Sequence, residues 1–270
     1  MNTDKLLLGK HTAYLEEYDP TILQPIARSL GRKNLTCDTS RGFDLWRLYE
    51  VTYLNRQGIP QVALGSIKVP ADSPFIVESK SLKLYIGSFT QTKFSSLSEV
   101  IEVIKHDLNQ KLKTSVECNL FSVQDENDSM QITALDGELI DNEPVTDIVY
   151  TVNPKLLKLN NGPIVKETLK SNLLRTLCPV TGQPDHASVM ISYEGAQIDR
   201  SSLLSYLISY RHHQGFHEQC CEQIFNDIKQ ILKPAKLAVT ACFTRRGGID
   251  INPVRSEFDD IKMPVRTIRQ

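Results

Sequence analysis

Two residues that could do chemistry stand seven positions apart in LCPVTGQPDHAS, Leu177 to Ser188: Cys178 directly before a proline, and Asp185 directly after one. Pro179, Gly182 and Pro184 exclude a regular helix, because the two rings fix φ, remove amide donors and push the preceding residues extended. The segment is a loop. A cysteine in a packed core behaves as a small hydrophobe, whereas this one has Thr181, Gln183 and Asp185 as neighbours in sequence. Nucleophilic chemistry at Cys178, with a carboxyl at hand to move a proton, is therefore open. Taken alone, the stretch is better served by a structural thiol at a turn and an aspartate capping that turn.

Other groups with chemical potential lie elsewhere. FHEQC places His217 and Glu218 just before Cys220, and a carboxylate such as Glu218 can accept paired N–H donors, although in the first turn of a helix it also complements the dipole. ESKSLKLY offers Glu78, Ser79 and Lys80, and TRRGGIDINPVRS offers Arg245, Arg246, Gly247 and Gly248. Guanidinium forks beside glycines suit an anion, since backbone amides can approach it closely. No GxGxxG occurs, so a Rossmann dinucleotide site has no support.

The chain that must position these groups has 270 residues, enough for one large domain or two small ones. Lys plus Arg (31) and Asp plus Glu (32) nearly cancel, so no global field marks a nucleic-acid or membrane binder. No apolar run approaches the roughly 20 residues of a membrane span, and MNTDKLLLGKHTAY lacks the regions of a signal peptide. The expected location is the cytosol. The six cysteines form no CxxC pair and no disulfide framework.

Apolar periodicity predicts a hairpin from FDLWRLYEVTYL (Phe43 to Leu54) and QVALGSIKV (Gln61 to Val69), then a helix in SLSEVIEVIKHDLNQKL, with strands around Ser115 to Val123 and Val145 to Val152. The second half repeats the order. ASVMISYEG reads as a strand, DRSSLLSYLISYR and HEQCCEQIFNDIKQIL as helices, the latter with Cys221, Ile224, Phe225, Ile228, Ile231 and Leu232 on one face, and KLAVTACFTRRGGIDINPVRS as a closing hairpin. Setting Glu78–Phe89 over Asp199–Tyr210 matches Ser81 with Ser202, Leu82 with Leu203, Tyr85 with Tyr206 and Ser88 with Ser209. The constant offset predicts an internal duplication, each copy a small antiparallel sheet carrying two helices on one face, an α+β arrangement. Where the second copy has CPVTGQPDHAS the first has NRQGIPQVA, without cysteine or aspartate. The predicted boundaries are an N-terminal extension over 1–34, a first module over 35–155 and a second, catalytic module over 156–270.

ESKSLKLY resembles the signature of the NADPH-dependent nitrile reductases that convert 7-cyano-7-deazaguanine to 7-aminomethyl-7-deazaguanine in queuosine biosynthesis. CPVTGQPD, FHEQC and TRRGGIDINPVRS also look like that family, in its long, two-module form. One departure is His186, where an aromatic residue, commonly tryptophan, is expected. The resemblance implies tandem tunnelling-fold modules and a homodimer that takes a small deazapurine with no direct nucleic-acid contact. It also implies Cys178 as nucleophile and Asp185 as proton donor, Val77, Glu78, His217 and Glu218 at the substrate, and Ser79, Lys80, Arg246 and Gly247 at NADPH, with no metal.

Those residue types suit the task. Thiolate addition to a nitrile carbon, with a proton delivered to nitrogen, gives a thioimide that accepts hydride far more easily than the nitrile does. Two hydrides, hence two NADPH per product, complete the reduction. A free thiol has a pKa of about 8.5, so Cys178 needs activation: either Asp185 takes the proton and passes it to nitrogen, the favoured account, or His217 lends positive charge. The competing reading is a zinc-dependent tunnelling-fold cyclohydrolase acting on a purine or pterin, with Cys178, His217 and Cys220 or Cys221 as ligands. A reversible Cys178 to Cys220 disulfide under oxidation is a further expectation; it requires Cα atoms within about 7 Å.

Overall fold

The computed structural model describes residues 15–125, 127–146 and 148–270. The first fourteen residues of the expected N-terminal extension, and residue 147 within the strand expected at Val145 to Val152, lie outside the described residues.

The first half contains β1 (Pro25–Ala27), α1 (Ser29–Arg32), β2 (Gly42–Leu54), β3 (Pro60–Pro70), β4 (Phe75–Val77), α2 (Ser79–Gly87), α3 (Leu97–Leu112) and β5 (Glu117–Ser122). After β6 (Glu138–Leu139) come β7 (Leu159–Leu177), β8 (Pro184–Ile198), α4 (Arg200–Ile208), α5 (His217–Leu232), β9 (Lys236–Phe243) and β10 (Ile249–Ser256). The chain is α+β. Among the described residues eight strands form one sheet in the order β5-β3-β2-β10-β9-β8-β7-β6, and β1 pairs with β4 in a separate two-stranded sheet. β10 closes against β2, from Ile249 opposite Leu48 to Arg255 opposite Gly42, so the last strand joins the two halves edge to edge.

Alternation along each strand decides which side chains meet the helices. Val189, Ile191 and Tyr193 of β8 are buried in one cluster with Leu203 and Tyr206 of α4 and Ile224 and Ile228 of α5. Trp46, Leu48 and Ile67 form a second cluster with Leu82 and Tyr85 of α2 and Ile104 and Leu108 of α3. Each such side chain contributes on the order of 1.5–3 kcal/mol by leaving water.

The two halves repeat their hydrogen bonds as well as their element order. Ser81 Oγ donates to Glu78 O and Ser202 Oγ to Asp199 O, each at 2.7 Å. Ser81 Oγ accepts Gln24 N at 3.1 Å, and Ser202 Oγ accepts Lys158 N at 3.0 Å. Tyr85 reaches Asp107 Oδ2 at 2.6 Å, and Tyr206 reaches Asp227 Oδ2 at 2.7 Å. Helices α3 and α5 both end on a lysine in the left-handed region, Lys113 at φ 54° and Lys233 at φ 50°. An Asp19-Pro20 turn before β1 and an Asn153-Pro154 turn before β7 are capped in the same way, each side chain accepting the amide two residues on.

Three expectations need correction. Of the expected loop Leu177 to Ser188 only Cys178 to Gln183 is loop, since β7 runs to Leu177 and β8 begins at Pro184. The described residues of Val145 to Val152 form no strand; Val149 and Tyr150 are exposed, and the segment runs into the turn capped by Asn153. The strand of that region is β7, nineteen residues long, which periodicity did not reveal. Ile231 is 45% exposed and off the buried face of α5.

Candidate active site

The Cys178 loop joins β7 to β8 and is closed by its own backbone. Cys178 N donates to Gln183 O at 2.9 Å and Gly182 N to Cys178 O at 3.0 Å, with Gly182 at φ 67°, where a side chain would be strained. The β2–β3 turn closes in the same way around Asn55, through Asn55 N to Ile59 O at 3.0 Å and Gly58 N to Asn55 O at 2.9 Å. Asn55 thus occupies the place that holds Cys178 in the second half. Cys178 is 3% exposed.

Two backbone bonds bring the start of α5 to this loop: Leu177 N donates to His213 O at 2.8 Å, and Gly215 N to Leu177 O at 3.3 Å. His217 and Glu218 follow directly in the first turn of α5. Asp185, buried at the beginning of β8, accepts Arg246 Nη1 at 2.7 Å and has His217 Nε2 at 4.0 Å. Thr244 N bonds His186 O at 2.9 Å, which sets Arg246 beside Asp185. The structure therefore brings Asp185, His217 and Arg246 together.

Burial decides the charge states. It raises the Asp185 carboxyl above the ordinary carboxylate range, against the opposing pull of Arg246 and Lys83. It pushes His217 down to about 3, aided by Lys83 and Arg246, so the imidazole is neutral and packs edge-on against Phe243 at 3.9 Å between ring centres. A neutral His217 cannot lend positive charge to the thiol. Lys83 can: on α2, it lies within Coulombic reach of Cys178, Asp185, Glu78 and Arg246, and its own pKa is lowered by burial and by Arg246. Sequence reasoning missed Lys83. The available signal was its place in ESKSLKLY, one helical turn after Lys80.

Glu218 is pushed up to about 8, first by burial and then by the negative charge of Asp44. Its Oε1 has no hydrogen-bond partner. Beneath it runs a buried ionic net that sequence reasoning also missed: Arg255 bridges Asp44 at 2.8 Å and Glu222 at 2.7 Å, Arg28 holds Asp44 at 2.6 Å, and Arg32 holds Glu222 at 2.6 Å. These residues come from β2, β10, α1 and α5 and the bend before α1, so the net fastens the seam between the halves and fixes α5 over it.

The other expected residues fall at the start of α2. Val77 ends β4 and packs into the first-half core. Glu78 is buried and caps α2, accepting Lys80 N at 2.8 Å and Ser81 N at 2.7 Å. Ser79 and Lys80 are half-buried in the first turn. Gly247 and Gly248 form the β9–β10 turn at φ 60° and 76°; a Cβ on Gly247 would stand 3.1 Å from Lys83 Cδ, and one on Gly248 would meet nothing. All six cysteines are free; Cys220 is fully buried, and Cys221 donates to the Val239 and Pro253 carbonyls in the core. Among the described residues no three His, Cys, Asp or Glu side chains converge as metal ligands.

Residues 14–120 match the family model described as the N-terminal part of nitrile reductase, 7-cyano-7-deazaguanine reductase, and residues 184–261 match that of the QueF-like proteins. The chain is 48% identical over 278 residues, all of both chains, to the NADPH-dependent 7-cyano-7-deazaguanine reductase of Burkholderia orbicola. This chain belongs to that reductase family. The reductase of Paraburkholderia phymatum is 46% identical over 277 residues, again with both chains fully covered. Among solved structures, the apo form of an archaeosine synthase QueF-Like aligns over 36% of this chain at 19% identity and a TM-score of 0.31.

Proposed function

We propose that this chain reduces the nitrile of 7-cyano-7-deazaguanine to the aminomethyl group with NADPH, in queuosine biosynthesis. The observation that carries the reading is the unpartnered Oε1 of buried Glu218 beside the Cys178 loop. An orphaned buried acceptor costs about 1–3 kcal/mol. The N–H donors on the guanine-like edge of the substrate would remove that cost on binding.

With the base held by Glu218, and Glu78 as the second acidic neighbour, Cys178 Sγ adds to the nitrile carbon. Asp185 takes the thiol proton and passes it to the nitrile nitrogen, so one S–C bond forms and the nitrile becomes a thioimide. A raised carboxyl pKa suits a group that must hold and release a proton near neutrality. Lys83 sets a positive charge within Coulombic reach of Cys178, and neutral His217 serves as a hydrogen-bonding group toward the substrate. NADPH supplies hydride to the substrate carbon, two per product. The turn at Gly247 and Gly248 suits such a dinucleotide, since glycines let backbone amides approach a phosphate and Arg246 is next in the chain; Ser79 and Lys80 at the start of α2 complete the proposed cofactor set.

The paired hydrogen bonds of the two halves support tandem tunnelling-fold modules, only the second carrying the nucleophile; because Gln24 and the Asp19 cap have counterparts in Lys158 and the Asn153 cap, the first module starts before the expected boundary at 35 and the second before 156. A homodimer acting in the cytoplasm completes the reading; among the described residues no helix is long and apolar enough to cross a membrane. Turnover of 7-cyano-7-deazaguanine with NADPH tests it: two NADPH oxidised per amine formed is expected, and no amine from folded protein overturns it.

A further inference from the structure

A cationic cluster lies on the other face of β8 from Asp185. Successive strand residues point to opposite faces, so buried Asp185 turns toward His217 while exposed His186 turns away. His186 pairs across strands with Arg175 of β7, and Arg175 Nη1 donates to the carbonyl of Arg211. Arg269 Nη1 donates to Ala187 O and Ser188 Oγ, both at 3.2 Å, which places its guanidinium along the same strand. Arg211 lies 5.9 Å from the ring centre of Tyr150.

None of these three arginines has a carboxylate partner among the described residues, whereas Arg200, Arg246 and Arg255 each have one. Partial desolvation of its ring and the three guanidiniums hold the His186 imidazole below its ordinary pKa. Asp185, the acid within reach of it, is engaged by Arg246. Like charges gathered without a counter-charge, in a chain whose net charge is −1, are stabilised by an anion. Guanidinium forks favour one with paired oxygens, a phosphate.

We propose that Arg175, His186, Arg211 and Arg269 form a phosphate site that takes the 2′-phosphate of NADPH. The proposal rests on the reductase reading for its occupant. Arg175 precedes Cys178 by three strand residues, about 10 Å at the usual rise. For a dinucleotide with its nicotinamide at Cys178 and its pyrophosphate at Arg246 and Gly247, the proposal requires the adenosine ribose to pass round the end of β8 to this face, where Thr244 N, two residues before Arg246, bonds His186 O. The site would then be what separates NADPH from NADH, the two differing only in that phosphate.

The test compares kcat/KM for NADPH and NADH in wild type, Arg175→Met and Arg211→Met, and follows the His186 ring by NMR during titration with adenosine 2′-monophosphate, adenosine and inorganic phosphate. The expected result is a fall of ten- to a hundredfold in kcat/KM for NADPH with little change for NADH, and a His186 shift with the 2′-monophosphate but not with adenosine. An unchanged preference in folded variants overturns the proposal. So does a His186 response to inorganic phosphate alone, which would make this a free-phosphate site. Absence of turnover with either cofactor would refute the reductase reading instead, and the nucleotide titration would still decide whether a phosphate binds here.

Discussion

Arg246 donates through Nη1 to Asp185 Oδ1 at 2.7 Å, and this contact lowers the proton affinity of the carboxyl proposed to serve Cys178. Burial raises that affinity and Arg246 lowers it. In Arg246→Ala the pKa of Asp185 therefore rises further. Because Asp185 must be ionised to take the thiol proton, the acidic limb of kcat/KM moves to higher pH in the variant. A pH–rate profile checks this; an unmoved limb would remove Asp185 from the proton path.

Glu218 leads to a second pH effect. With its carboxyl pushed up to about 8, it is mostly protonated in the free protein at pH 7, yet it must be ionised to accept two N–H bonds. Substrate binding therefore releases a proton. The Kd for 7-cyano-7-deazaguanine should fall by about tenfold per pH unit as pH rises toward 8, then level off. In Glu218→Gln binding should be weaker and nearly independent of pH. Calorimetry in buffers of different ionisation enthalpy measures the released proton.

The β9–β10 turn sets a steric limit. Gly247→Ala forces an alanine to φ 60°, with its Cβ 3.1 Å from Lys83 Cδ. The left-handed region costs a non-glycine residue about 1–2 kcal/mol. The variant should melt earlier and show a raised KM for NADPH, with the Kd for 7-cyano-7-deazaguanine unchanged. Equal weakening of both ligands would argue against this turn as the cofactor contact.

The repeated tyrosine–aspartate bonds predict unequal costs. Tyr85→Phe leaves Asp107 with Tyr18, which also bonds it at 2.7 Å, whereas Tyr206→Phe removes bonds from Tyr206 to both Asp227 and Tyr210. A hydrogen bond to a charged group is worth about 1.5–3 kcal/mol. Urea unfolding should show the larger loss for Tyr206→Phe.

Much of this was legible in the sequence because it is local. Helices α3 and α5 show themselves through apolar spacing, and the matched Ser81 and Ser202 or Tyr85 and Tyr206 mark equivalent bonds. β7 was not legible: its register shifts between Leu159 and Ile164 and again between Ser171 and Leu174, which breaks the period-two pattern. The β2–β10 seam and the Arg255 net beneath Glu218 are also silent, since the strand partners and the Arg255–Asp44 and Arg32–Glu222 pairs lie some 200 positions apart in the chain. At the site, Cys178, Asp185, His217 and Glu218 stand in recognisable motifs. Lys83 was hidden by looking like one more solvated lysine on a helix, and the neutrality of His217 depends on burial that no motif encodes.

The most direct test of the account is intact-mass spectrometry of the protein mixed with 7-cyano-7-deazaguanine in the absence of NADPH, alongside Cys178→Ala. The account predicts a covalent increment equal to the mass of the nitrile, absent from the variant and discharged when NADPH is added. No increment in wild-type protein, with the thiol reduced and substrate shown to bind, would contradict covalent catalysis by Cys178.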